Sequence, residues 1–593
     1  MKVLDRTIKV EENPRIVGST GSFTASLKKI KEQYDTVIYE LELRNDIPAE
    51  LPTGLSVQWR LPSVNVKGEW STGALYDKRI RADWELPSVV SRVSVNAPVI
   101  SLFGHEDENV ITFACSDVLN TLEMEAPVRE ENGFIYCQLR FFTEELPLTK
   151  HYKTQIRIDR RPLPFHLVLE EVGEWWASFE HLKPAPVPEA ARFPVYSTWY
   201  SYHQNFTPEA LLEECRLSAE LGYKAVIIDD GWQTMDGGRG YDFTGDWEPD
   251  RIPDTAAFVA SVHGFGMKCL FWYSVPFCGR KSKAYQQFKG KFLTENHPWA
   301  PVFDPRYPEV RAYLINKYAT ALIDWNLDGL KLDFIDDFRT YPETELTKAN
   351  GRDHASVNAA VDRLLTDVMR QLRKIKPDVL IEFRQKYIGP AMRKYGNMFR
   401  AFDCPNDVVG NRIRTTDVRL VCGNTQVHSD MITWHNDEPV EMAALQFANI
   451  LFSVPQLSVK MATIPSDHLQ MIAFYTRYWQ ENQKVLLDGE FTPYSPAANY
   501  PVLSASLNEK AIYGIYENIF VQIATDYDEI HLINGKMTEQ IAFEFEEDYG
   551  SCAVVIFDCQ GQIDYEDTLD FEEGLHALEV PAGGIIQLRR LEI

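Results

Sequence analysis

In the stretch DGLKLDFIDD, residues 328–337, one lysine and one aspartate interrupt an apolar run. A charge buried in a core costs several kcal/mol unless it is paired. Lys331 and Asp333 must therefore form ion pairs or have a functional role. If the run is a strand, these two side chains point to one side and their leucine neighbours to the other. In a parallel barrel that side faces inward and the strand ends on the catalytic face. An aspartate beside a lysine stays ionised, which suits a nucleophile, although a structural ion pair is an equal alternative.

Strand-like and helix-like runs alternate on both sides of this stretch. The predicted strands are residues 193–200, 225–230, 268–275, 329–334, 379–384, 398–403, 426–432 and 454–460, and the predicted helices include 208–221, 308–325, 357–375, 441–452 and 467–487. This order predicts a (β/α)₈ TIM barrel over residues 193–490. A doubly wound open sheet is the alternative, but no Gly-rich phosphate fingerprint follows the first strand.

Both flanks of the predicted barrel have the pattern of antiparallel sheets. Before it, short alternating runs and turn signals such as Asn132-Gly133 predict a large sandwich over residues 1–182. A proline-spaced stretch, residues 183–192, is typical of a semi-rigid linker. After the barrel, residues 491–593 predict a C-terminal β-sandwich. The predicted fold class is therefore multidomain α/β.

Composition excludes several classes of partner. The chain has 593 residues, a formal charge of −26, and nine cysteines that never form a CxxC pair. The negative charge argues against nucleic acid, anionic membranes and acidic polysaccharides, and the cysteine spacing favours free thiols over disulfides or zinc. Residues 1–15 lack an apolar signal core and no apolar run has the length of a membrane span, so we expect a cytoplasmic protein.

Polar and aromatic side chains gather at the predicted carboxyl ends of the strands. They are Trp199, Asp229, Asp230, Trp232, Lys331, Asp333, Glu382, Arg384, Arg400, Asp403, His428 and Asp430. For any one of them a structural ion pair or helix cap is an equal alternative, but the repetition over several strands favours a site. Carboxylates bind sugar hydroxyls and indoles cover the apolar face of a pyranose. Two opposed carboxyl groups cleave glycosidic bonds, so the pattern predicts a glycosidase with Asp333 as nucleophile.

The loop after the second strand, residues 229–247, is rich in Gly, Asp and Trp and ends in Asp246-Trp247. It does not match the twelve-residue calcium loop with a closing Glu. We interpret it as a sugar-binding loop, and we expect neither a metal nor a cofactor.

Together these motifs resemble the retaining α-galactosidases of glycoside hydrolase family 36, in clan D, and more distantly family 27. The resemblance rests on residues 196–199 (YSTW), 229–232 (DDGW), 245–247 (GDW), 331–333 (KLD) and 400–403 (RAFD). It implies an N-terminal antiparallel β-supersandwich, a catalytic barrel and a C-terminal β domain. The chain departs from the family at its nucleophile strand, where Leu332-Asp333-Phe334-Ile335 stands in place of the common Trp-Asp-Met-Asn.

The resemblance also implies a role for each matching residue. Asp333 would be the nucleophile and Asp403 the acid/base, with Asp407 as a rival because residues 404–407 differ from the family's Asn-Thr-Asp. The implied substrate-binding residues are Asp229 and Asp230 at O4 and O6 of galactose, with Trp232, Trp199, Lys331 and Arg400; Asp246, Trp247, Glu382 and Arg384 are further candidates. The roles of Asp336, Asp337, His428 and Asp430 stay open.

The implied activity is release of terminal α-linked galactose from oligosaccharides with net retention. Three alternatives stay open: hydrolysis of α-N-acetylgalactosaminides, galactosyl transfer between sugars, and an inactive carbohydrate-binding barrel. The expected partner is a carbohydrate with a terminal α-galactosyl residue. The resemblance further implies assembly of the chain into a homo-oligomer.

Overall fold

The computed structural model describes residues 13–591. Residues 1–12 and 592–593, the outer ends of the two predicted β domains, lie outside the described residues. Within the described part, antiparallel sheets precede a barrel of parallel strands, and further sheets follow it. The predicted fold class is confirmed.

The N-terminal part is a sandwich of two antiparallel sheets. Its strands are β1 (Arg15–Val17), β2 (Thr24–Gln33), β3 (Thr36–Ala49), β4 (Ser56–Pro62), β5 (Gly68–Trp70), β6 (Val89–Ser91), β7 (Val99–Phe103), β8 (Asn109–Cys115), β9 (Leu122–Glu125), β10 (Phe134–Phe141) and β11 (Thr149–Asp159). One sheet has the order β1-β4-β10-β9-β6 and the other β2-β3-β11-β8-β7-β5. Alternate residues of β10 are buried, which is the period-two pattern that predicted this sandwich.

A helix that the alternating pattern did not predict follows the sandwich. This helix, α1 (Phe165–Ala177), buries Phe165, Leu169 and Trp176 in the same apolar core as the barrel residues. Trp176 Nε1 donates to the carbonyl of Cys115 on β8, 2.8 Å away. The helix therefore joins the sandwich to the barrel through one continuous core.

The central part contains the barrel. Its strands are β12 (Val195–Ser197), β13 (Ala225–Ile228), β14 (Lys268–Ser274), β17 (Gly329–Asp333), β18 (Leu380–Arg384), β19 (Met398–Arg400), β20 (Gln426–His428) and β21 (Gln456–Leu457), with a small hairpin of β15 (Phe292–Thr294) and β16 (Val302–Phe303). Its helices are α2 (Trp199–Tyr202), α3 (Pro208–Glu220), α4 (Thr255–Gly264), α5 (Lys283–Gln287), α6 (Pro308–Asp324), α7 (Val357–Ile375), α8 (Val408–Arg419), α9 (Val440–Ala448) and α10 (Ser466–Asp488).

The eight barrel strands are all parallel, in the order β20-β19-β18-β17-β14-β13-β12-β21. A parallel bridge between His428 and Val454 connects the two ends of this order. The sheet therefore closes on itself, and the open doubly wound alternative is wrong.

Several strands are shorter than their apolar runs. The predicted first strand, residues 193–200, ends at Ser197, and Trp199 begins helix α2. The seventh and eighth keep only Gln426–His428 and Gln456–Leu457. Barrel strands are buried on both sides and therefore lie within long apolar runs. These runs continue past the last hydrogen-bonded residue of the strand, so a prediction based on them gives strands that are too long.

The proline-spaced segment 183–192 lies against the barrel. The amide of Ala185 donates to the carbonyl of Arg393, 2.8 Å away, and the carbonyl of Ala191 lies 2.7 Å from Nε2 of His428. The segment ends in the short 3₁₀ helix Glu189–Arg192.

The C-terminal part is again two packed sheets. Its strands are β22 (Glu490–Tyr494), β23 (Val502–Leu507), β24 (Lys510–Ile515), β25 (Phe520–Ile523), β26 (Glu529–Asn534), β27 (Gln540–Phe545), β28 (Gly550–Phe557), β29 (Ile563–Phe571), β30 (Gly574–Glu579) and β31 (Ile585–Arg590). Side chains of both sheets, such as Ile530 and Phe543, share one apolar core. The predicted C-terminal β-sandwich is thus present, with parallel pairs β24–β26 and β25–β27 among its antiparallel ones.

All nine cysteines are buried free thiols, as predicted. Within residues 13–591, none of the helices combines the length and the apolar composition needed to cross a membrane.

Candidate active site

Strand β17 delivers its charged pair to the barrel's polar face, as its alternation predicts. Leu330 and Leu332 pack in the apolar core, whereas Lys331 and Asp333 contact polar groups of neighbouring strands. Asp333 is 6% exposed and is the last residue of the strand. Its position at the carboxyl end puts it on the face where barrel enzymes carry out their chemistry.

Four donors hold the Asp333 carboxylate. Oδ1 accepts from Nε of Arg384 at 2.9 Å, from the amide of Phe334 at 2.7 Å and from the hydroxyl of Tyr387. Oδ2 accepts from Nε1 of Trp272 at 2.9 Å. Burial alone would raise the pKa of Asp333, but the cations Arg384 and Lys331 and these donors hold it well below its usual range. The carboxylate is therefore ionised and fixed in orientation.

Lys331 pairs with the first of two aspartates that follow β13. Its Nζ lies 2.5 Å from Oδ2 of Asp229, and both side chains are buried. Asp230 accepts from Nε2 of Gln204 and from Nε2 of Gln233, each at 2.7 Å. Burial raises the pKa of Asp230 to about 7. The two aspartates and Lys331 thus form one polar wall beside the nucleophile candidate.

Arg400, at the end of β19, organises a second polar wall. Its guanidinium lies 2.8 Å from Oδ1 of Asp403, contacts Oδ1 of Asp430, and lies 3.6 Å from Oε1 of Glu382. The Asp403 side chain is 39% exposed, whereas Arg400, Asp430 and Glu382 are buried. Partial burial would raise the pKa of Asp403, but Arg400, Arg384 and Lys331 lower it overall. Asp403 is thus the accessible carboxylate of this wall.

The buried carboxylates behind Asp403 have raised pKa values. Burial raises the pKa of Asp430 to about 6 despite the attraction of Arg400. Asp430 accepts from the hydroxyl of Tyr200 at 2.9 Å and from the amide of Cys404 at 2.7 Å. Burial also raises the pKa of Glu382, whose Oε2 accepts from Nε2 of Gln456 at 2.5 Å. These contacts place Glu382 inside the barrel, where it supports Arg400 and does not face a ligand.

Asp407, the rival acid/base, lies at the start of helix α8. Its Oδ1 accepts from the amide of Gly410 at 2.8 Å, which is a helix cap, and its Oδ2 accepts from the hydroxyl of Tyr76 at 2.7 Å. Both oxygens therefore serve the fold and the contact with the N-terminal sandwich.

Two residues of the loop after β13 do not reach the polar walls. Asp246 caps helix α5, because its carboxylate accepts from the amides of Lys283 at 2.7 Å and Ala284 at 2.8 Å. Trp247 is 3% exposed and stacks on Trp232, with ring centroids 6.0 Å apart. The sequence-based interpretation of these two as sugar ligands does not fit their contacts.

Trp232 and Trp199 differ in accessibility. Trp232 is fully buried, and its Nε1 donates to the carbonyl of Trp272 at 2.8 Å. Trp199 is half-buried, lies edge-on to His203 and has the Arg239 guanidinium 5.2 Å from its ring. Of these two, Trp199 is the accessible indole, and Trp232 acts through packing against β14.

The structure also shows the surroundings of His428, Asp336 and Asp337, whose roles the sequence left open. His428 is buried between Ala191 and Gln456, and burial lowers its pKa to about 4. Asp336 and Asp337 form the 3₁₀ turn after β17, and the N-terminal sandwich reaches them because Arg92 donates to the carbonyl of Asp336 at 2.8 Å. Burial raises the pKa of Asp337 to about 6.

Tyr387 is a site residue that the sequence did not reveal. It lies after β18, three residues beyond Arg384, and its hydroxyl reaches Asp333. A lone tyrosine in a loop carries no motif, so no sequence signal distinguished it. Within residues 13–591, no three His, Cys, Asp or Glu side chains converge to hold a metal ion.

Known proteins resemble this chain in fold and only weakly in sequence. No protein-family model and no curated protein match the chain. A variant of the GH36 α-galactosidase AgaA from Geobacillus stearothermophilus, in complex with 1-deoxygalactonojirimycin, has a TM-score of 0.62 and 14% identity, covering 96% of this chain and 82% of that one. The α-galactosidase from Lactobacillus brevis has a TM-score of 0.62 and 15% identity, covering 98% and 86%. This chain has the fold of these GH36 α-galactosidases.

The shared GH36 fold extends over all three parts of the chain, since the superposed structures cover nearly all of it. The GH36 α-galactosidase AgaB from G. stearothermophilus is similar to the same extent, with a TM-score of 0.62, 13% identity, and 98% and 86% coverage. The sequence-based expectation of this architecture is therefore confirmed, and the activity is argued from the site below.

Proposed function

We propose that the chain is a retaining glycoside hydrolase that releases terminal α-linked galactose through a covalent glycosyl-enzyme. The observation that carries this proposal is the ionised Asp333, held by four donors at the end of β17, with the accessible Asp403 paired to Arg400 after β19, two strands away. Double displacement requires a fixed, ionised carboxylate and a second carboxyl group on the same catalytic face.

In the first step Asp333 attacks the anomeric carbon. Oδ2 accepts a single hydrogen bond, from Trp272, whereas Oδ1 accepts three, so Oδ2 has the free lone pair for attack. The bond from the anomeric carbon to the aglycone oxygen breaks as the new ester bond forms. Asp403 gives its proton to the departing oxygen.

Asp403 must hold a proton in this step, although three cations lower its pKa in the free protein. A bound aglycone excludes water from its exposed side, which raises the pKa of the carboxyl group. Once the ester has formed, Asp333 no longer carries a negative charge, and the pKa of Asp403 falls again. Asp403 then takes a proton from the water that hydrolyses the ester, giving net retention.

The polar wall of Asp229, Asp230 and Lys331 supports recognition of galactose. Carboxylates and an ammonium group fixed by mutual contacts offer acceptors and donors for vicinal hydroxyls. The shared fold adds support, because AgaA variants have been solved in complex with raffinose and stachyose. We further propose a cytoplasmic location, which the nine free buried thiols support.

The test is hydrolysis of four 4-nitrophenyl glycosides: α-galactoside, α-N-acetylgalactosaminide, α-glucoside and α-xyloside. We expect wild type to cleave the α-galactoside and Asp333→Asn to be inactive. Proton NMR should show the α-anomer of galactose as first product. Release of the β-anomer would contradict the retaining mechanism.

The same panel separates the alternatives. Preferential cleavage of the α-N-acetylgalactosaminide would identify the protein as an α-N-acetylgalactosaminidase. Formation of longer oligosaccharides from raffinose would identify it as a galactosyltransferase. Silence on all four glycosides, together with binding of galactose, would show an inactive barrel and overturn the proposal.

A further inference from the structure

A cavity of about 340 Å³ lies between the N-terminal sandwich and the barrel, beside the candidate active site. Asn96 belongs to its sandwich side, and Gln385, Lys386, Phe402 and Arg414 to its barrel side. The amide of Asn96 donates to the carbonyl of Lys386 at 2.9 Å, so the two sides are fixed to each other. The volume is within the range of small-molecule sites, roughly 300–1,000 Å³.

Phe402 connects this cavity to the catalytic groups. It directly precedes Asp403 in the chain, and its amide donates to Oε1 of Gln385 at 3.0 Å. The guanidinium carbon of Arg384, which holds Asp333, lies 5.0 Å from the Phe402 ring, and that of Arg414 lies 5.2 Å from it. The cavity therefore borders the catalytic groups through Phe402 and Arg384, on the Asp403 side.

The two cations of the cavity are not neutralised by the protein. No carboxylate of the described residues forms an ion pair with Lys386 or Arg414, and Nε of Arg414 is buried without a partner. The cavity's own carboxylate, Asp417, is already occupied: it accepts from Trp70 at 2.9 Å and from Tyr500 at 2.6 Å. In a chain with 86 acidic and 60 basic residues, unpaired cations facing one cavity leave a local positive charge.

We propose that this cavity binds the aglycone and selects aglycones that carry a carboxylate or a phosphate group. The inference rests on the proposed function, because it makes the cavity the leaving-group side of the same site. The Phe402 ring would cover the apolar face of the aglycone sugar, and Arg414 and Lys386 would bind its anionic group. The net charge of −26 does not prevent an anion from binding here, because salt screens the repulsion from carboxylates more than ~8 Å away. Lys386 and Arg414, which line the cavity, would attract the anion directly.

The first arm of the test compares two substrates that differ only in charge: melibiose and its oxidised form melibionate, whose aglycone is gluconate. We expect wild type to prefer melibionate by about tenfold in kcat/KM, since one charge-assisted contact contributes on this order. Lys386→Gln and Arg414→Gln should each lower that ratio towards one, and Arg414→Lys should restore part of it. The matched controls, exposed Lys183→Gln and Arg373→Gln, should keep the wild-type ratio.

The second arm measures binding of gluconate, glucose 1-phosphate and glucose by calorimetry, independently of turnover. Tighter binding of an anion than of glucose, weakened by salt and by the Lys386 and Arg414 substitutions, supports the site, and the stronger anion identifies carboxylate or phosphate. Equal binding of all three, with galactosides still cleaved, overturns this inference alone. Anion binding that depends on both cations, with no galactoside cleaved, overturns the proposed function and the assignment of the cavity to an aglycone.

Discussion

Nη2 of Arg400 lies 2.8 Å from Oδ1 of Asp403, and Nη1 of the same guanidinium pairs with the buried Asp430. One cation therefore serves Asp403 and Asp430, with Glu382 farther away at 3.6 Å, and of these three carboxyl groups only Asp403 is accessible. Asp403 raises the pKa of Asp430, whereas the positive charge of Arg400 opposes that rise and lowers the pKa of Asp403. By the same repulsion, an ionised Asp430 favours the protonated form of Asp403. The protonation of the candidate acid is thus controlled from inside the barrel.

Removing the charge of Asp430 should shift the pH profile to lower pH. In Asp430→Asn the negative charge that Asp430 carries above its pKa of about 6 disappears, and Arg400 keeps Asp403 and the more distant Glu382 as carboxylate partners. The pKa of Asp403 in the enzyme–substrate complex therefore falls. Asp403 must be protonated to release a poor leaving group, and kcat for melibiose, which reports the pKa values of the enzyme–substrate complex, falls as pH rises through that pKa. We expect this alkaline limb to move down by roughly 0.5–1 pH unit. An upward shift would show that Asp430 does not act on Asp403.

The control for that shift is Asp437→Asn. Asp437 is 92% exposed and changes the net charge by the same amount, so its pH profile should match wild type. An aryl galactoside with a very good leaving group needs little acid help and should show the alkaline limb weakly in every variant.

Asp333→Asn should lower turnover by at least ~10³-fold, because the amide cannot form the glycosyl ester. Its buried neighbour Arg384 loses its ion-pair partner, so the melting temperature should also fall, with the circular dichroism spectrum unchanged. Asp246→Asn is the matched control: Asp246 caps helix α5, and the amide oxygen of asparagine still caps. Asp246→Asn should keep wild-type turnover. Loss of activity in this variant would show that Asp246 acts in the active site.

Asp403→Ala should make turnover depend on the leaving group. We expect a loss of ~10²–10⁴-fold on melibiose and a much smaller loss in the first step with 2,4-dinitrophenyl α-galactoside. Added azide should replace water and give α-galactosyl azide, because no base is needed for an anionic nucleophile. Equal losses on both substrates would contradict the acid role.

Asp407→Ala tests the rival. Since Asp407 caps helix α8 and bonds Tyr76, we expect a stability loss of about 1 kcal/mol with no dependence on the leaving group. A leaving-group effect in Asp407→Ala and none in Asp403→Ala would exchange the two assignments.

The sequence predicted the barrel and its charged strand ends because alternation and strand position are local signals. Lys331, Asp333, Arg384 and Arg400 follow from counting residues to the end of a strand. Asp246 could not be assigned in this way, since it caps a helix that begins 37 residues later. The roles of Trp232 and Trp247 could not be predicted either. The sequence of a polar loop does not show whether its tryptophan side chains face a sugar or a neighbouring ring.

The two tryptophans Trp232 and Trp199 should respond differently to truncation. Trp232 is fully buried and bonds the carbonyl of Trp272, so Trp232→Ala should destabilise the protein by about 3–5 kcal/mol and Trp232→Phe by about 1–3 kcal/mol. Trp199→Ala removes a half-buried ring and should mainly raise KM for galactosides. A chain with several domains does not unfold in one step, so the measurement follows the melting of the barrel by near-ultraviolet circular dichroism beside KM. Trp232→Phe with unchanged melting and a raised KM would show that Trp232 faces the sugar after all.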